Sequence, residues 1–353
     1  MMRVKVILNT QLSISNIQQG NLNLRTLIMQ VHRELSQLPS FKNAVITIGT
    51  FDGVHTGHLQ IIKQLKEEAA KVNGESVIIS FHPHPRMVLS SLQQNESKPP
   101  APVSLLNTLD EKIELLGQHN IDHLVVVPFT KEFSELSAEE YIKNFMADKF
   151  HPHTIIIGYD HRFGRQRRGD YKLLEAYANR LNYTVKEIPP HIINHITISS
   201  TKIREALTHA DIETANKCLG YQYFFEGTVI EGDKLGRTIG YPTANIKIND
   251  ENKLVPANGV YAVEMKIANA QSPLLKGMMN IGYRPTVGGT KRMIEVNIFD
   301  FDKEIYGEQL RVYLRKYLRE EKKFNGLEEL KNQLAIDKVN ALKGPFPSTK
   351  KKG

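Results

Sequence analysis

The chain has 353 residues, which is long enough for two domains of ordinary size, each with its own core. Its 41% hydrophobic and 24% charged residues are typical of a soluble globular protein. No apolar run approaches the roughly 20 residues that a membrane-spanning helix needs. The N-terminal sequence lacks an apolar core of signal-peptide length, so we expect a cytoplasmic protein. The single cysteine, Cys218, excludes an intrachain disulfide and a cysteine-based zinc site.

The formal net charge of +8 indicates an anionic partner. Lysine and arginine clusters neutralise the phosphates of nucleic acids, and they also attract small polyanions such as nucleotides. The densest basic cluster, HRFGRQRR at residues 161–168, is not accompanied by an aromatic-interleaved RNA-binding signature. We therefore favour small polyanions as ligands over nucleic acid.

From residue 44 to about 190, short apolar runs alternate with segments whose apolar residues recur at helical spacing. This alternation predicts a mostly parallel sheet with helices on both faces. Ligands bind such sheets beyond the carboxyl ends of the strands. The stretch SSLQQNESKPPAPVS, residues 90–104, interrupts the pattern and predicts an exposed loop. The predicted strands lie in AVITIGTF, SVIISF, HLVVVPF, TIIIGYD and YTVKEI.

Beyond residue 220 the pattern changes to consecutive strand-like runs separated by Gly, Pro and Asn turns. No long helical segment follows until NGLEELKNQLAIDKVNALK near the C-terminus. Consecutive strands followed by one helix predict an antiparallel barrel or sandwich with a helix packed on it. We place the domain boundary near residue 220. The strand-like runs are YFFEGTVIEG, GVYAVEMKI, LKGMMNIGY, RMIEVNIFDF and QLRVYLRKYL.

The segment GTFDGVHTGH, residues 49–58, follows a predicted strand and leads into a predicted helix. His55 and His58 are three residues apart, so we expect their imidazoles on one face of the first helical turn. Unpaired backbone N–H groups and the positive end of the helix dipole point the same way. Gly53 and Gly57 let the backbone approach a ligand closely. The segment therefore indicates a polyphosphate site, although a plain helix cap or metal ligation would use the same histidines.

The full string TIGTFDGVHTGH resembles the (H/T)-x-G-H signature of nucleotidyltransferases, in the form found in bacterial bifunctional riboflavin kinase/FMN adenylyltransferases. Four further segments are similar to motifs of that family: FHPHPRMVL, PFTKEFSELSAEEYI, GYDHRFG and ISSTKIREAL. Two positions depart from the family pattern, with His82 where aspartate is common and His161 in place of phenylalanine. The resemblance covers roughly residues 29 to 340.

For this half of the chain, the resemblance implies attack by the FMN phosphate on the α-phosphorus of ATP, with release of pyrophosphate. Such a displacement depends on positioning and on neutralised charge. His55 and His58 would be catalytic, since they would stabilise the phosphate oxygens as negative charge moves toward the leaving group. Asp160 would contact the adenosine or ribose. The residues implied to bind ATP and its phosphates are Gly49, Phe51, Asp52, Gly53, Gly57, Asp160, Ser199, Ser200, Thr201 and Arg204.

The segment EGDKLGRTIGYPTANIKI, residues 231–248, contains three glycines spaced four apart. This spacing matches neither the Walker loop nor the dinucleotide motif, and alone it predicts a glycine-rich hairpin in which Pro242 sets a turn. The string GRTIGYPTAN, however, closely resembles the riboflavin kinase signature of the same family. The segments NIGYRPTVGG and YGEQLRVYLRKYLREEKKF also match it.

For the kinase half, the resemblance implies Mg²⁺ as the cofactor, held with the nucleotide phosphates by Thr243 and Asn245. Neutral oxygen ligands suit a hard cation that keeps several waters. Glu295, in MIEVNIFDF, would be the catalytic base that accepts the proton of the riboflavin 5′-hydroxyl. On spacing alone, a glutamate between apolar neighbours is more often a solvent-facing strand residue. The residues implied to bind ATP and phosphate in this half are Gly236, Arg237, Gly240, Pro242, Thr243 and Asn245.

The implied fold is a Rossmann-like, mostly parallel nucleotidyltransferase domain followed by a β-barrel riboflavin kinase domain with a terminal helix. We expect an N-terminal extension at residues 1–28, the FMN adenylyltransferase domain at 29–220, the riboflavin kinase domain at 221–345 and a basic disordered tail at 346–353. A chain that starts at Met29 should therefore fold and keep both activities.

The sequence thus predicts an enzyme that phosphorylates riboflavin to FMN and then adenylylates FMN to FAD, with ATP as co-substrate in both steps. We expect no nucleic-acid or membrane partner and a monomer or weak oligomer. Two alternatives stay open. One is a riboflavin kinase whose adenylyltransferase half is impaired by the departures at His82 and His161. The other is a basic nucleic-acid-binding protein on a nucleotidyltransferase-like scaffold.

Overall fold

The structure is a computed structural model, and it describes residues 29–92, 103–158, 160–188, 198–232, 235–268, 273–286 and 289–343. The expected N-terminal extension, the expected basic tail and most of the expected loop at 90–104 lie outside these ranges. Within them, a parallel sheet is followed along the chain by an antiparallel barrel.

Six parallel strands form the first half, in the order β1-β4-β3-β2-β5-β6. All five strands predicted between residues 44 and 190 are present, and a short strand beside β4 forms one edge of the sheet. The predicted parallel sheet is therefore confirmed. Its strands are β1 (Gln30–His32), β2 (Val45–Ile48), β3 (Ser76–His82), β4 (His123–Pro128), β5 (Thr154–Gly158) and β6 (Thr184–Ile188).

Helices connect these strands. The second helix runs to Leu92, so the loop expected from residue 90 begins later than predicted. The helices are α1 (Thr56–Lys71), α2 (Pro85–Leu92), α3 (Leu109–Gly117), α4 (Lys131–Ser134), α5 (Ala138–Glu140), a π-helical stretch (Tyr141–Ala147), α6 (Asp148–Phe150) and α7 (Tyr171–Leu181). Short 3-10 turns lie at Leu35–Gln37 and Arg165–Arg167.

The central strands are apolar at nearly every position because both faces of the sheet are buried. In β2, Ile46 packs in the same core as Phe145 on one face. Its neighbour Val45 packs with Leu65 of α1 and Leu115 of α3 on the other face. The prediction of helices on both faces is confirmed.

Two helices, α8 (Ser200–Thr208) and α9 (Ile212–Leu219), lead from the sheet to the barrel. Ile203 and Leu219 from these helices lie in one apolar core with Leu310 and Val312 of the barrel. The core therefore continues across residue 220, where the sequence pattern places the domain boundary.

The second half is a closed antiparallel barrel with the strand order β10-β11-β8-β7-β12-β9, and a terminal helix packs on its outer face. The barrel and the helix confirm the sequence prediction. One strand, β8, was not predicted, because its few apolar residues follow the glycine-rich segment. The elements are β7 (Phe224–Ile230), α10 (Leu235–Thr238), β8 (Ala244–Ile248), β9 (Gly259–Ile267), β10 (Leu275–Thr286), β11 (Gly289–Ile298), β12 (Gln309–Arg319) and α11 (Leu327–Leu342).

A buried ion pair also joins the two halves. Lys253, which precedes β9, places its Nζ 2.5 Å from Glu111 Oε2 of α3, and the two side chains are 0% and 3% exposed. The same Nζ donates to the carbonyl of Leu106 at 2.7 Å. Burying both charges costs solvation free energy, which this close pairing and the extra hydrogen bond offset.

Candidate active sites

The loop of residues 49–55 joins β2 to α1 and carries the first predicted site. Phe51 and Val54 have φ angles of 47° and 36°, a left-handed conformation that residues other than glycine seldom adopt. Gly53 has a φ of 88°, and a Cβ there would lie 2.7 Å from Leu106 Cδ1. Backbone strain of this kind persists only where surrounding packing holds it, and it clusters at functional sites.

His55 and His58 stack at the start of α1. Their ring centroids are 3.7 Å apart and their planes differ by 15°, so the expected placement on one face is observed. His55 is the N-cap residue, and its Nδ1 accepts a hydrogen bond from the backbone N–H of His58 at 3.3 Å. The backbone N–H of His58, which the sequence pattern assigned to a ligand, is therefore used within the protein. Hydrogen bonds to a ligand at this position come more from the imidazole rings themselves.

Both imidazoles are neutral at neutral pH. Burial lowers the pKa of His55 to about 4, although the Asp52 carboxylate acts in the opposite direction. Burial, followed by the neighbouring His55, also lowers the pKa of His58. The buried Nδ1 of His58 has no hydrogen-bond partner among the described residues. A neutral imidazole carries one N–H, so each ring can donate one hydrogen bond to an anion.

The Asp52 carboxylate is the centre of the hydrogen-bond network around this loop. Its Oδ1 accepts from the backbone N–H groups of Leu106 at 3.0 Å and Asn107 at 3.2 Å. Its Oδ2 pairs with Arg204 Nη2, and Arg204 Nε donates to the carbonyl of Ser104 at 2.7 Å. The sequence pattern assigned Asp52 and Arg204 separately to ATP, whereas the structure joins them, so Asp52 positions the guanidinium.

The ISSTKIR segment approaches the same loop. Ser199 is the N-cap of α8, and its Oγ accepts from the backbone N–H of Lys202 at 3.2 Å. Ser200 Oγ donates to the carbonyl of Asp52 at 2.9 Å. The Thr201 side chain is exposed. The helix start and the strained loop, which lie far apart along the chain, therefore form one site.

The histidines and the aspartate of two further motifs lie at the ends of β3 and β5. His84 is buried, and burial lowers its pKa to about 4, whereas His82 is exposed. The His161 ring stacks on Phe163 with 6.0 Å between the centroids, and burial lowers its pKa to about 4. Asp160 is exposed in the turn that follows β5.

The second site lies where β8 and β11 pair. Asn245 and Glu295 are directly opposite in the strand register and are 5% and 9% exposed. Their neighbours Ile246 and Val296 lie in the barrel core, so Asn245 and Glu295 point to the outer face. Directly opposed residues have adjacent side chains on one face of a sheet. The register therefore brings the P-T-A-N motif and the predicted base together.

Loop backbone covers this part of the outer face. A Cβ on Gly232 would lie 2.0 Å from Asn245 Nδ2, so the backbone there packs directly on the amide. Asn297, two residues after the predicted base, donates from Nδ2 to the carbonyl of Pro242 at 2.7 Å. These contacts explain why polar residues on the outer face of the barrel are buried.

The remaining predicted kinase residues lie in and after α10. Arg237 Nη2 pairs with Glu304 Oε1 at 3.0 Å. Gly236 is in α10, and Gly240 has a φ of 81° in the turn that follows. Thr243 is exposed, and it lines a cleft of about 70 Å³ together with Arg237 and Glu304.

Glu295 has a basic partner that the sequence pattern did not assign. Arg284 Nη2 lies 2.7 Å from Glu295 Oε2. Arg284 belongs to the segment NIGYRPTVGG, which resembles the riboflavin kinase family as a segment, without a role for any single residue. The sequence therefore indicated the segment, but the pairing of Arg284 with Glu295 depends on how β10 and β11 align.

The family model for FAD synthetase matches residues 38–202, and the family model for riboflavin kinase matches residues 219–344. The bifunctional riboflavin kinase/FMN adenylyltransferase of Listeria monocytogenes is 40% identical over 296 residues, which covers 84% of this chain and 90% of that protein. The protein of the same description from Escherichia coli is 36% identical over 315 residues, or 89% of this chain and 96% of that one.

Among solved structures, a Streptococcus pneumoniae protein described as a macrolide-efflux protein is similar over 90% of this chain and 100% of its own, with a TM-score of 0.78 and 28% identity. None of the helices in the described ranges combines the length and the apolar composition that crossing a membrane requires. The two family matches fall on the sheet half and on the barrel half, in the same order as the two sites. Together with relatives similar over most of their length, they show that this chain belongs to the bifunctional riboflavin kinase/FMN adenylyltransferase family.

Proposed function

We propose that the chain makes FAD from riboflavin in two ATP-dependent steps at separate sites. The barrel phosphorylates riboflavin to FMN, and the parallel-sheet domain adenylylates FMN to FAD with release of pyrophosphate. The observation that carries this proposal is the presence of both family domains. It is supported by the contact of Ser200 with Asp52 in the first and by the pairing of Asn245 with Glu295 in the second. The match to FAD synthetase favours this reading over a riboflavin kinase alone.

In the barrel, Glu295 accepts the proton of the riboflavin 5′-hydroxyl as the oxygen attacks the γ-phosphorus of ATP. The pairing with Arg284 at 2.7 Å orients the carboxylate. Asn245, opposite in the register, lies beside the base and can hold an oxygen-rich ligand next to the attacking hydroxyl. Arg237 and the turn at Gly236, Gly240 and Pro242 bind the nucleotide phosphates.

Phosphoryl transfer from ATP needs a divalent metal, and we propose Mg²⁺, held by Thr243 and Asn245. The residues fit such an ion, because the backbone at Gly232 fixes the Asn245 amide and both side chains offer neutral oxygens. When bound, Mg²⁺ neutralises charge on the transferred phosphate groups. Thr243 lies at the exposed side of the cleft, where a hydrated ion with nucleotide oxygens can be accommodated.

In the parallel-sheet domain, the FMN phosphate attacks the α-phosphorus of ATP. No base is needed to generate this nucleophile, because a phosphate monoester is largely ionised at neutral pH. His55 and His58 donate neutral N–H groups to phosphate oxygens as charge moves to the leaving pyrophosphate. Arg204, positioned by Asp52, contacts phosphates from the opposite side together with the start of α8. Asp160 contacts the adenosine or its ribose.

We also infer the setting in which the enzyme works. Its ligands are ATP, riboflavin, FMN and FAD, in keeping with a net charge of +8. It is cytoplasmic, acts without nucleic-acid or membrane partners, and is a monomer or weak oligomer. The domain limits of 29–220 and 221–345 stay predictions.

The experiment incubates the protein with riboflavin, ATP and Mg²⁺ and separates the flavins by chromatography. We expect FMN first and FAD later, with no product when EDTA replaces Mg²⁺. A parallel reaction supplied with FMN tests the second step alone. Formation of FMN from riboflavin with no FAD in either reaction would favour the kinase-only alternative, and the absence of any flavin product would refute the proposal.

A further inference from the structure

Lys112 is a buried lysine beside the loop of the adenylyltransferase site. It lies near the N-terminus of α3 and is 6% exposed. Its Nζ donates a hydrogen bond to the carbonyl of Thr50 at 2.8 Å. Thr50 immediately precedes Phe51, which has the left-handed backbone described above. The ammonium group therefore holds the strained loop at its first residues.

Burying an ammonium group costs free energy unless a carboxylate or carbonyl oxygens compensate. Burial lowers the pKa of Lys112, and the Asp52 carboxylate acts in the opposite direction. An apolar side chain would fill the same space without that cost. The charge and the hydrogen bond to Thr50 are therefore what this position contributes to the site.

The histidines nearby do not supply this positive charge. Burial is the main cause that lowers the pKa values of His58, His82 and His84, and the positive charge of Lys112 lowers each of them further. These effects favour neutral histidines. The guanidinium of Arg204 is paired with Asp52. Lys112 thus adds a positive charge that acts on histidines of both motifs.

The helix that carries Lys112 is anchored on its other side by the barrel. The preceding residue, Glu111, pairs with Lys253 at 2.5 Å and forms a capping box with Thr108. Glu111 thus contacts the barrel, and the next residue, Lys112, contacts the loop. Because both belong to one helical turn, both halves of the chain set the position of the ammonium group.

We propose that Lys112 is a positioning residue for FMN adenylylation. Its buried ammonium holds the Thr50 carbonyl and thereby keeps the loop of residues 49–55, with His55 at its end, in the conformation that receives the ATP phosphates. This inference rests on the adenylyltransferase function proposed for that loop.

The test uses Lys112→Met, which removes the charge while keeping the length of the side chain. We expect kcat for FMN adenylylation to fall by about ten- to a hundredfold, because small misplacements of a reacting group cost rates of this order. The KM for FMN should change little, and riboflavin phosphorylation by the same protein should stay as in the native chain. Lys112→Arg, which keeps a charge and N–H donors, should recover part of the lost rate.

A matched control is Lys66→Met. Lys66 lies on α1, and its Nζ also donates to a backbone carbonyl, that of His119 at 2.9 Å, outside the site. This variant should keep both activities. If the methionine at position 112 prevented folding, Lys112→Gln would take its place, with the same expected loss of adenylylation.

Two results would overturn the inference. One is a folded Lys112→Met or Lys112→Gln protein that adenylylates FMN at the native rate. The other is a parallel loss of both activities with a lowered melting temperature, which would indicate a purely structural lysine. A native protein that forms no FAD from supplied FMN would instead refute the proposed function itself.

Discussion

The parallel-sheet domain and the barrel assemble their sites by different means. In the sheet domain, His55 and His58 lie three residues apart in a loop and a helix start, where backbone strain and a helix cap hold them. In the barrel, Asn245 and Glu295 lie on different strands and meet only through the register of β8 with β11. A loop site is thus encoded in one short segment, whereas a barrel site depends on how distant strands align.

The two sites also differ in charge. The sheet site presents histidines that burial keeps neutral, and positive charge nearby is carried by Lys112, by Arg86 and by an arginine paired with Asp52. The barrel site presents a carboxylate held by Arg284. This contrast suits the two proposed reactions. The FMN phosphate is already ionised and needs no base in the sheet site, whereas the riboflavin 5′-hydroxyl must lose a proton to a base in the barrel site. Four predictions test this contrast between the two sites.

The largest effect is expected from Glu295→Gln, which keeps the shape of the side chain and removes its basicity. Riboflavin phosphorylation should fall by about a thousandfold, within the range typical of a lost general base. Conversion of supplied FMN to FAD should be unchanged, as measured by chromatography of the flavins. Loss of both steps in a folded protein would contradict the assignment of separate sites.

Next is the ion pair that joins the halves. Lys253→Met leaves the Glu111 carboxylate buried without its partner, so the free energy of unfolding should fall by about 3 kcal/mol, as for other broken buried pairs. Urea denaturation provides the measurement. The double variant Lys253→Met/Glu111→Leu removes both charges and should recover most of the loss. A single variant as stable as the native protein would show that the pair does not hold the halves together.

His58→Ala should lower the rate of FMN adenylylation by about a hundredfold, the usual cost of one preorganised donor in a transition state. Riboflavin phosphorylation should continue, so FMN should accumulate in the coupled reaction. The control is His209→Ala, at an exposed position beyond α8. If His58→Ala adenylylated FMN at the native rate, other groups of the loop would have to donate the hydrogen bond assigned to His58.

The smallest effect concerns pH. The pKa of His55 is about 4 in the folded protein, whereas the ordinary value for a solvated histidine is 6.5, so the folded state binds fewer protons between these values. Protonation therefore favours unfolding, and stability should fall as the pH falls from about 7 toward 4, with His55 contributing about 1 kcal/mol by pH 5.5. His55→Asn keeps a good N-cap residue and should weaken this dependence in urea unfolding at several pH values. An unchanged dependence would show that His55 does not titrate as described.

Much of the architecture followed from local pattern. Five of the six strands of the sheet, the helices on both its faces, the barrel and the terminal helix follow from the sequence because burial on one or two faces imposes a regular spacing of apolar residues. The histidine loop was predicted because its residues are contiguous. The strand β8 was missed, because it is short and follows a glycine-rich segment that is typical of a turn.

The sequence alone thus determined the kind of fold, the two motifs and the family resemblance, all of which depend on neighbouring residues. Long-range packing, in contrast, pairs Asp52 with Arg204 and Arg284 with Glu295, and it buries Lys112 and Lys253 where α3 meets its neighbours. Surface lysines and arginines look the same in sequence as buried ones. Strand register and helix packing decide which of them are buried and paired with a carboxylate or carbonyl oxygen. Both bring together residues that are far apart along the chain.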